Sequence, residues 1–144
     1  MIINHKFVLC FVAVVCLFLS SDAMANIFEQ SRFKHRLIIV KTDQSLSISS
    51  ISQTITEFNR GISDRRLIII VLNRDEVQVL PGNHTNDTKT QTQSIKHRLN
   101  GNQATLIGLD GGTKAYYDQF DLQQVFIDID GMPMRRAELQ DSGD

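Results

Sequence analysis

The chain has two cysteines, Cys10 and Cys16, and both fall in one apolar run, residues 7–19. Thiol catalysis needs a thiolate, which forms where a helix N-terminus or a neighbouring cation lowers the thiol pKa. Where the first strand pattern gives way to the first helical pattern, the sequence reads Lys41-Thr42-Asp43-Gln44-Ser45-Leu46-Ser47. Hydroxyls and a carboxylate stand there, with no sulfur. Serine nucleophiles need a positioned base and an oxyanion site, and no histidine neighbours Ser45 or Ser47. Capping the following helix is the simpler role for Ser47.

Other chemical signals are equally spare. Gly108-Leu109-Asp110-Gly111-Gly112-Thr113-Lys114 has the glycines of a phosphate loop without its spacing, because Ala115 follows the lysine and a strand pattern follows the loop. The positive φ angles of a hairpin turn account for those glycines. His35, His84 and His97 never form H-x-x-x-H, and Asp128 and Asp130, two apart on a helix, point to different sides. No metal and no cofactor are expected. Met132-Pro133-Met134-Arg135-Arg136 sets two flexible apolar side chains beside two guanidinium groups. That suits a docking edge, since Arg pairs carboxylates and stacks on rings. The simpler alternative is that the methionines close the core while the arginines offset the negative end of the preceding helix.

The elements that would position these groups begin after a leader. His5 and Lys6, the apolar run and Ala23-Met24-Ala25 form the pattern of a secretory signal peptide over residues 1–25, with cleavage after Ala25. The run of 13 apolar residues is shorter than the roughly 20 needed to span a bilayer, so no stable membrane anchor is expected after cleavage. Val15 fills the place before Cys16 where a lipoprotein would carry a small residue. Residues 26–144 then form one thiol-free domain, large enough to bury a core without disulfides. Its location is periplasmic or secreted. The formal charge is −1, and the only adjacent basic pairs are Arg65-Arg66 and Arg135-Arg136. A nucleic-acid backbone asks for a clustered basic face, so nucleic acid is not an expected partner.

Leu37-Ile38-Ile39-Val40 and Leu67-Ile68-Ile69-Ile70-Val71-Leu72 are short, β-branched apolar runs that predict buried parallel strands. Between them Ile48, Ile51, Ile55 and Phe58 recur at helical spacing, with Ser47 as N-cap and Gly61 as stop. Residues 74–93 are polar, with Pro81-Gly82 marking a turn, and predict the least ordered stretch. A short helix using Ile95 and Leu99 ends near Asn100-Gly101. Residues 104–109 predict a strand, Asp110-Gly111-Gly112 a tight turn, and residues 113–117 a returning strand. A last helix is capped by Asp121, buries Leu122, Val125, Phe126 and Ile129, ends at Gly131, and is kept from resuming by Pro133. The order is βαβ, a weak helix, then ββα around a mixed four-stranded sheet, an α/β class.

Leu106-Ile107-Gly108-Leu109-Asp110-Gly111-Gly112-Thr113-Lys114, followed by Ile127-Asp128-Ile129-Asp130-Gly131-Met132-Pro133-Met134-Arg135-Arg136, resembles the closing half of a domain family of unknown function. That family occurs as small exported bacterial proteins and as a peroxiredoxin-related module of animal sushi-repeat and other extracellular-matrix proteins. The strands opening at Arg36 and Arg66 look like its first half, while residues 77–103 depart most from it. The resemblance implies a thioredoxin-like fold and no established activity. In redox-active thioredoxin-like proteins a C-x-x-C pair occupies the place filled here by residues 41–47. The single-domain exported form looks bacterial, so Asn83-His84-Thr85 and Asn86-Asp87-Thr88, which fit the glycosylation sequon, read as a plain polar loop.

The expectation is a non-enzymatic binding or interaction module of the cell envelope, with an envelope or extracellular protein of unknown identity as partner. Its candidate contact residues are Asp43, Ser45 and Ser47 in the loop after the first strand, and an edge formed by Arg74, Lys114, Arg135 and Arg136. The alternatives are an enzyme working without thiols, peroxidase-related or hydrolytic, and a self-associating structural component.

Overall fold

The computed structural model describes residues 27–80 and 89–143 of the 144. The leader, both cysteines, His84 and the two sequons lie outside the described residues.

Alternation along two central strands builds the molecule. Strand β1 (Arg36–Lys41) sends Ile38 and Val40 to one side and Leu37 and Ile39 to the other. Strand β2 (Leu67–Asn73) likewise divides Ile69 and Val71 from Ile70 and Leu72. A strand apolar on both faces must be covered on both. Helices α2 (Ile48–Glu57), α3 (Asn59–Asp64) and α5 (Leu122–Asp130) supply Ile51, Ile55, Ile62, Leu122, Val125 and Ile129 to the first face. Helices α1 (Ile27–Ser31) and α4 (Lys89–Leu99) cover the second with Ile27, Phe28, Ile95 and Leu99. The result is three layers, helix on sheet on helix.

With β3 (Glu76–Leu80), β4 (Ala104–Ile107) and β5 (Thr113–Tyr117), the sheet has five strands in the order β3-β2-β1-β4-β5. β1 and β2 are parallel; β4 runs antiparallel to β1, and β5 antiparallel to β4. The α/β class holds, but the sheet exceeds the expected four strands by β3, which pairs antiparallel with β2. It lies in the stretch read as least ordered, where alternation of Val77 and Val79 with polar neighbours is short and diluted. Arg74 and Asp75 make the two-residue turn between β2 and β3, with Arg74 at φ 56°.

Two boundaries also differ from expectation. Gly61 does not stop the first long helix, which ends at Phe58; Gly61 lies within α3, where a Cβ would come 2.8 Å from the Phe126 ring. The glycine serves close packing of α3 against α5. Gly131 does end α5, yet Pro133 opens a further helix, α6 (Pro133–Asp141). Proline lacks an N–H that the first helical turn does not use, and its fixed φ suits that position.

Candidate functional site

The end of β1 meets the start of α2 in residues 42–47, and local hydrogen bonding sets their shape. The Asp43 Oδ1 accepts from Ser45 N–H at 2.8 Å, Ser45 Oγ at 2.6 Å and Leu46 N–H at 2.9 Å. This is the turn that an Asp side chain builds over its own backbone. Its Oδ2 accepts from Gln103 Nε2 at 2.6 Å, and Gln103 Oε1 accepts from Phe120 N–H at 2.6 Å at the approach to α5. One glutamine thus ties the loop to α5. Thr42 Oγ1 donates to Asn73 Oδ1 at 3.0 Å, joining the ends of β1 and β2. Ser47 caps α2 by accepting from Ser50 N–H at 3.2 Å, while Ser50 Oγ accepts from Ser47 N–H at 3.2 Å. That reciprocal pair is a capping box closed by serine.

The chemistry open to this loop follows from those bonds. Hydrogen bonds from the Ser45 hydroxyl, then from the Ser45 and Leu46 amides, hold the Asp43 carboxyl down at about 2. A carboxylate that acidic and fully engaged is a poor proton acceptor near neutrality. Ser45 donates to it with no imidazole between, and Ser47 is occupied as a cap. The loop therefore presents ordered, exposed polar groups rather than an activated nucleophile.

The remaining candidates are not brought together. Arg74 lies between β2 and β3, and Lys114 lies on β5 at the opposite edge of the sheet, paired to Asp110 at 2.6 Å. Arg135 is only 4% exposed and sits beyond the start of β1, the other end of the sheet from Arg74. Of the four, Arg136 and Arg135 are neighbours on α6, and only Arg136 of those two is exposed. The expected edge does not form, and burial removes Arg135 from any docking surface.

Arg135 belongs instead to an ionic cluster that the sequence reading missed. Arg36, 1% exposed at the first position of β1, donates to Glu138 on α6 through Nη1 at 3.2 Å and Nη2 at 3.0 Å. Arg36 Nη1 also donates to the Arg65 carbonyl at 3.0 Å. Arg66 pairs with the same Glu138, and Arg135 pairs with Asp64, with Asp130 at 3.4 Å and with Glu138 at 3.4 Å. Arg65 reaches Asp130 at 2.6 Å while its guanidinium lies 4.3 Å over the Phe126 ring. Burial pushes the Glu138 carboxyl up, but hydrogen bonds from Arg36 and Arg66 outweigh it and hold the group below its ordinary range. Asp130 is depressed in the same way, Arg65 and then Arg135 overcoming its burial. Four guanidiniums against three carboxylates brace α3, α5 and α6 onto the start of β1. The visible signal was the i, i+3 spacing of Arg135 and Glu138; Arg36, 102 residues away from Glu138, gave none.

A third feature is a shallow depression of about 530 Å³ between β5 and the junction of α5 with α6, lined by Lys114, Ala115, Ile127, Asp128, Met132 and Pro133. On its margin the Tyr117 hydroxyl donates to Asp128 Oδ2 at 2.6 Å. Burial, reinforced by that bond, drives the phenol well above its ordinary value, so it remains a donor. Among the described residues no group of three or more His, Cys, Asp or Glu is placed to hold a metal ion. No helix among them is long and apolar enough to cross a membrane.

No curated protein and no solved structure matches the chain. Residues 27–138, from α1 through the ionic cluster, match the family described as Domain of unknown function (DUF4174), and the chain belongs to that family.

Proposed function

We propose that the protein is an exported, thioredoxin-like interaction module of the cell envelope, which binds an envelope or extracellular protein and performs no thiol chemistry. The scaffold reading is supported by the strand order β2-β1-β4-β5, with β1 and β2 parallel and the others antiparallel. On that reading β3 is an added edge strand, and the kinship with animal matrix modules is a kinship of scaffold. The leader pattern of residues 1–25 supports the location, periplasmic or secreted.

One observation carries the reading. At the end of β1, where a redox scaffold of this kind sets a cysteine pair, Asp43, Ser45 and Ser47 are consumed in shaping a rigid, exposed turn. Fixed polar groups on a preorganised loop favour recognition, because little ordering entropy is left to lose on binding.

The test compares two measurements, one on purified protein and one in the intact cell envelope. Turnover is assayed with peroxide and disulfide substrates, and partners are recovered by crosslinking in intact envelopes. The module reading expects no turnover and a partner whose recovery falls when residues 42–47 are replaced by alanine. Turnover that disappears with the same replacement would overturn it in favour of a peroxidase-related or hydrolytic enzyme.

A further inference from the structure

β5 ends the sheet, and among the described residues no strand lies beside its outer side. The Tyr117 carbonyl accepts from Gln103 N–H at 3.0 Å, so Tyr117 turns its backbone polar groups toward β4. Alternation then turns the N–H and C=O of Tyr116 outward. Among the described residues no backbone hydrogen bond reaches them. Natural edge strands are commonly blunted by proline, by charged side chains, by bulges, by brevity or by cover. β5 carries Lys114 and a bulge at its start, but Ala115 to Tyr117 have neither, the strand has no proline, and a depression opens beside it. Ile127, lining that depression, is 64% exposed, unusual for a helix residue next to a core.

We propose that β5 is a self-association edge, on which a second copy of the chain adds its own β5 antiparallel about a two-fold axis at Tyr116. Charge complementarity selects this occupant. Centring the pairing on Tyr116 and carrying it one residue past the end of β5 sets Lys114 across from Asp118 of the second copy, and Asp118 across from the second Lys114. Opposite charges directly across two antiparallel strands are favourable, as are facing aromatic rings. Lys114 already meets Asp110 at 2.6 Å, and its ammonium has two further donors to offer. Asp118 is exposed and follows directly on the last residue of β5. The same axis, perpendicular to the sheet, keeps both α5 helices on one face of the joined sheet and turns the two Ile127 side chains toward the junction. Such an interface is isologous and closes at two copies. It is independent of the role proposed above for residues 42–47, which lie at the end of the central strand β1.

Sedimentation equilibrium of the purified chain over a concentration series tests this. The expected result is a reversible monomer–dimer equilibrium. Tyr116→Pro, which removes the outward N–H without taking a donor from the β4 ladder, should give a monomer with the parent far-ultraviolet circular dichroism. Lys114→Asp should raise the dissociation constant about tenfold by placing like charges across the junction, and Lys114→Asp combined with Asp118→Lys should restore it. A chain that stays monomeric throughout overturns the proposal, as would be the case if the edge takes an extended segment of another protein. A dimer indifferent to Tyr116→Pro or to the charge exchange overturns it as well, and the exchange remains decisive if the proline variant does not fold.

Discussion

Glu138→Gln tests whether the ionic cluster fastens α6 to the sheet. Glu138 accepts two hydrogen bonds from Arg36, at 3.2 and 3.0 Å, and others from Arg66 and Arg135. Glutamine keeps the shape but removes the charge, leaving the buried Arg36 guanidinium without its counterion. Breaking one side of a buried ion pair costs about 3–5 kcal/mol. Glu138 is 19% exposed and the glutamine oxygen still accepts, so about 2–3 kcal/mol is the reasoned loss here. With a urea m-value of about 1–1.5 kcal/mol/M, the unfolding midpoint should fall by about 2 M at unchanged slope. The Arg36→Met/Glu138→Leu double variant should recover at least half of that loss, because apolar replacement spares the desolvation of both charges. A single variant within about 0.5 kcal/mol of the parent, the range of ordinary surface substitutions, would refute the reasoning. So would a double variant less stable than the single one.

Three further outcomes follow from the geometry. Gly61→Ala should destabilise by about 1–2 kcal/mol in chemical denaturation, since crowding the Phe126 ring outweighs the roughly 1 kcal/mol gained in helix propensity. Ser47→Ala should cost about 1 kcal/mol by the same measurement through loss of the α2 cap. Glu138, Asp130 and Asp43 all have depressed folded-state pKa values. Their stabilisation is therefore complete above the unfolded carboxylate range near pH 4 and is lost as pH falls through the folded values, about 2 for Asp43. Melting temperatures measured from pH 7 to pH 3 should be level first and then fall, and Glu138→Gln should shrink the drop.

The sheet's centre could be read from sequence because β1 and β2 are unbroken apolar runs that only a doubly covered strand explains. Ser47 and Asp121 likewise announced their helices, since capping is chemistry confined to a few consecutive residues. β3 escaped because an edge strand buries little, leaving Val77 as its one deeply buried residue among polar neighbours. α6 escaped because Pro133 has two meanings, a stop to the helix before it and a favoured opening to the helix after it. At the candidate site the sequence placed Asp43, Ser45 and Ser47 on one loop, which is local information. Gln103 was invisible there, and so was the pairing of Arg36 with Glu138, because both depend on segments that only folding brings together.

Gln103 has a single amide group, and each end of it is answered by a different part of the molecule. A partner that draws Asp43 away releases the nitrogen, frees the side chain to turn, and loosens the acceptor that holds Phe120 N–H ahead of α5. Linked equilibria are reciprocal, so whatever unsettles the start of α5 must alter the affinity of that partner by the same factor. Occupancy at one end of the sheet would then be felt, through one side chain, by the helix that carries Ile127 and Asp130.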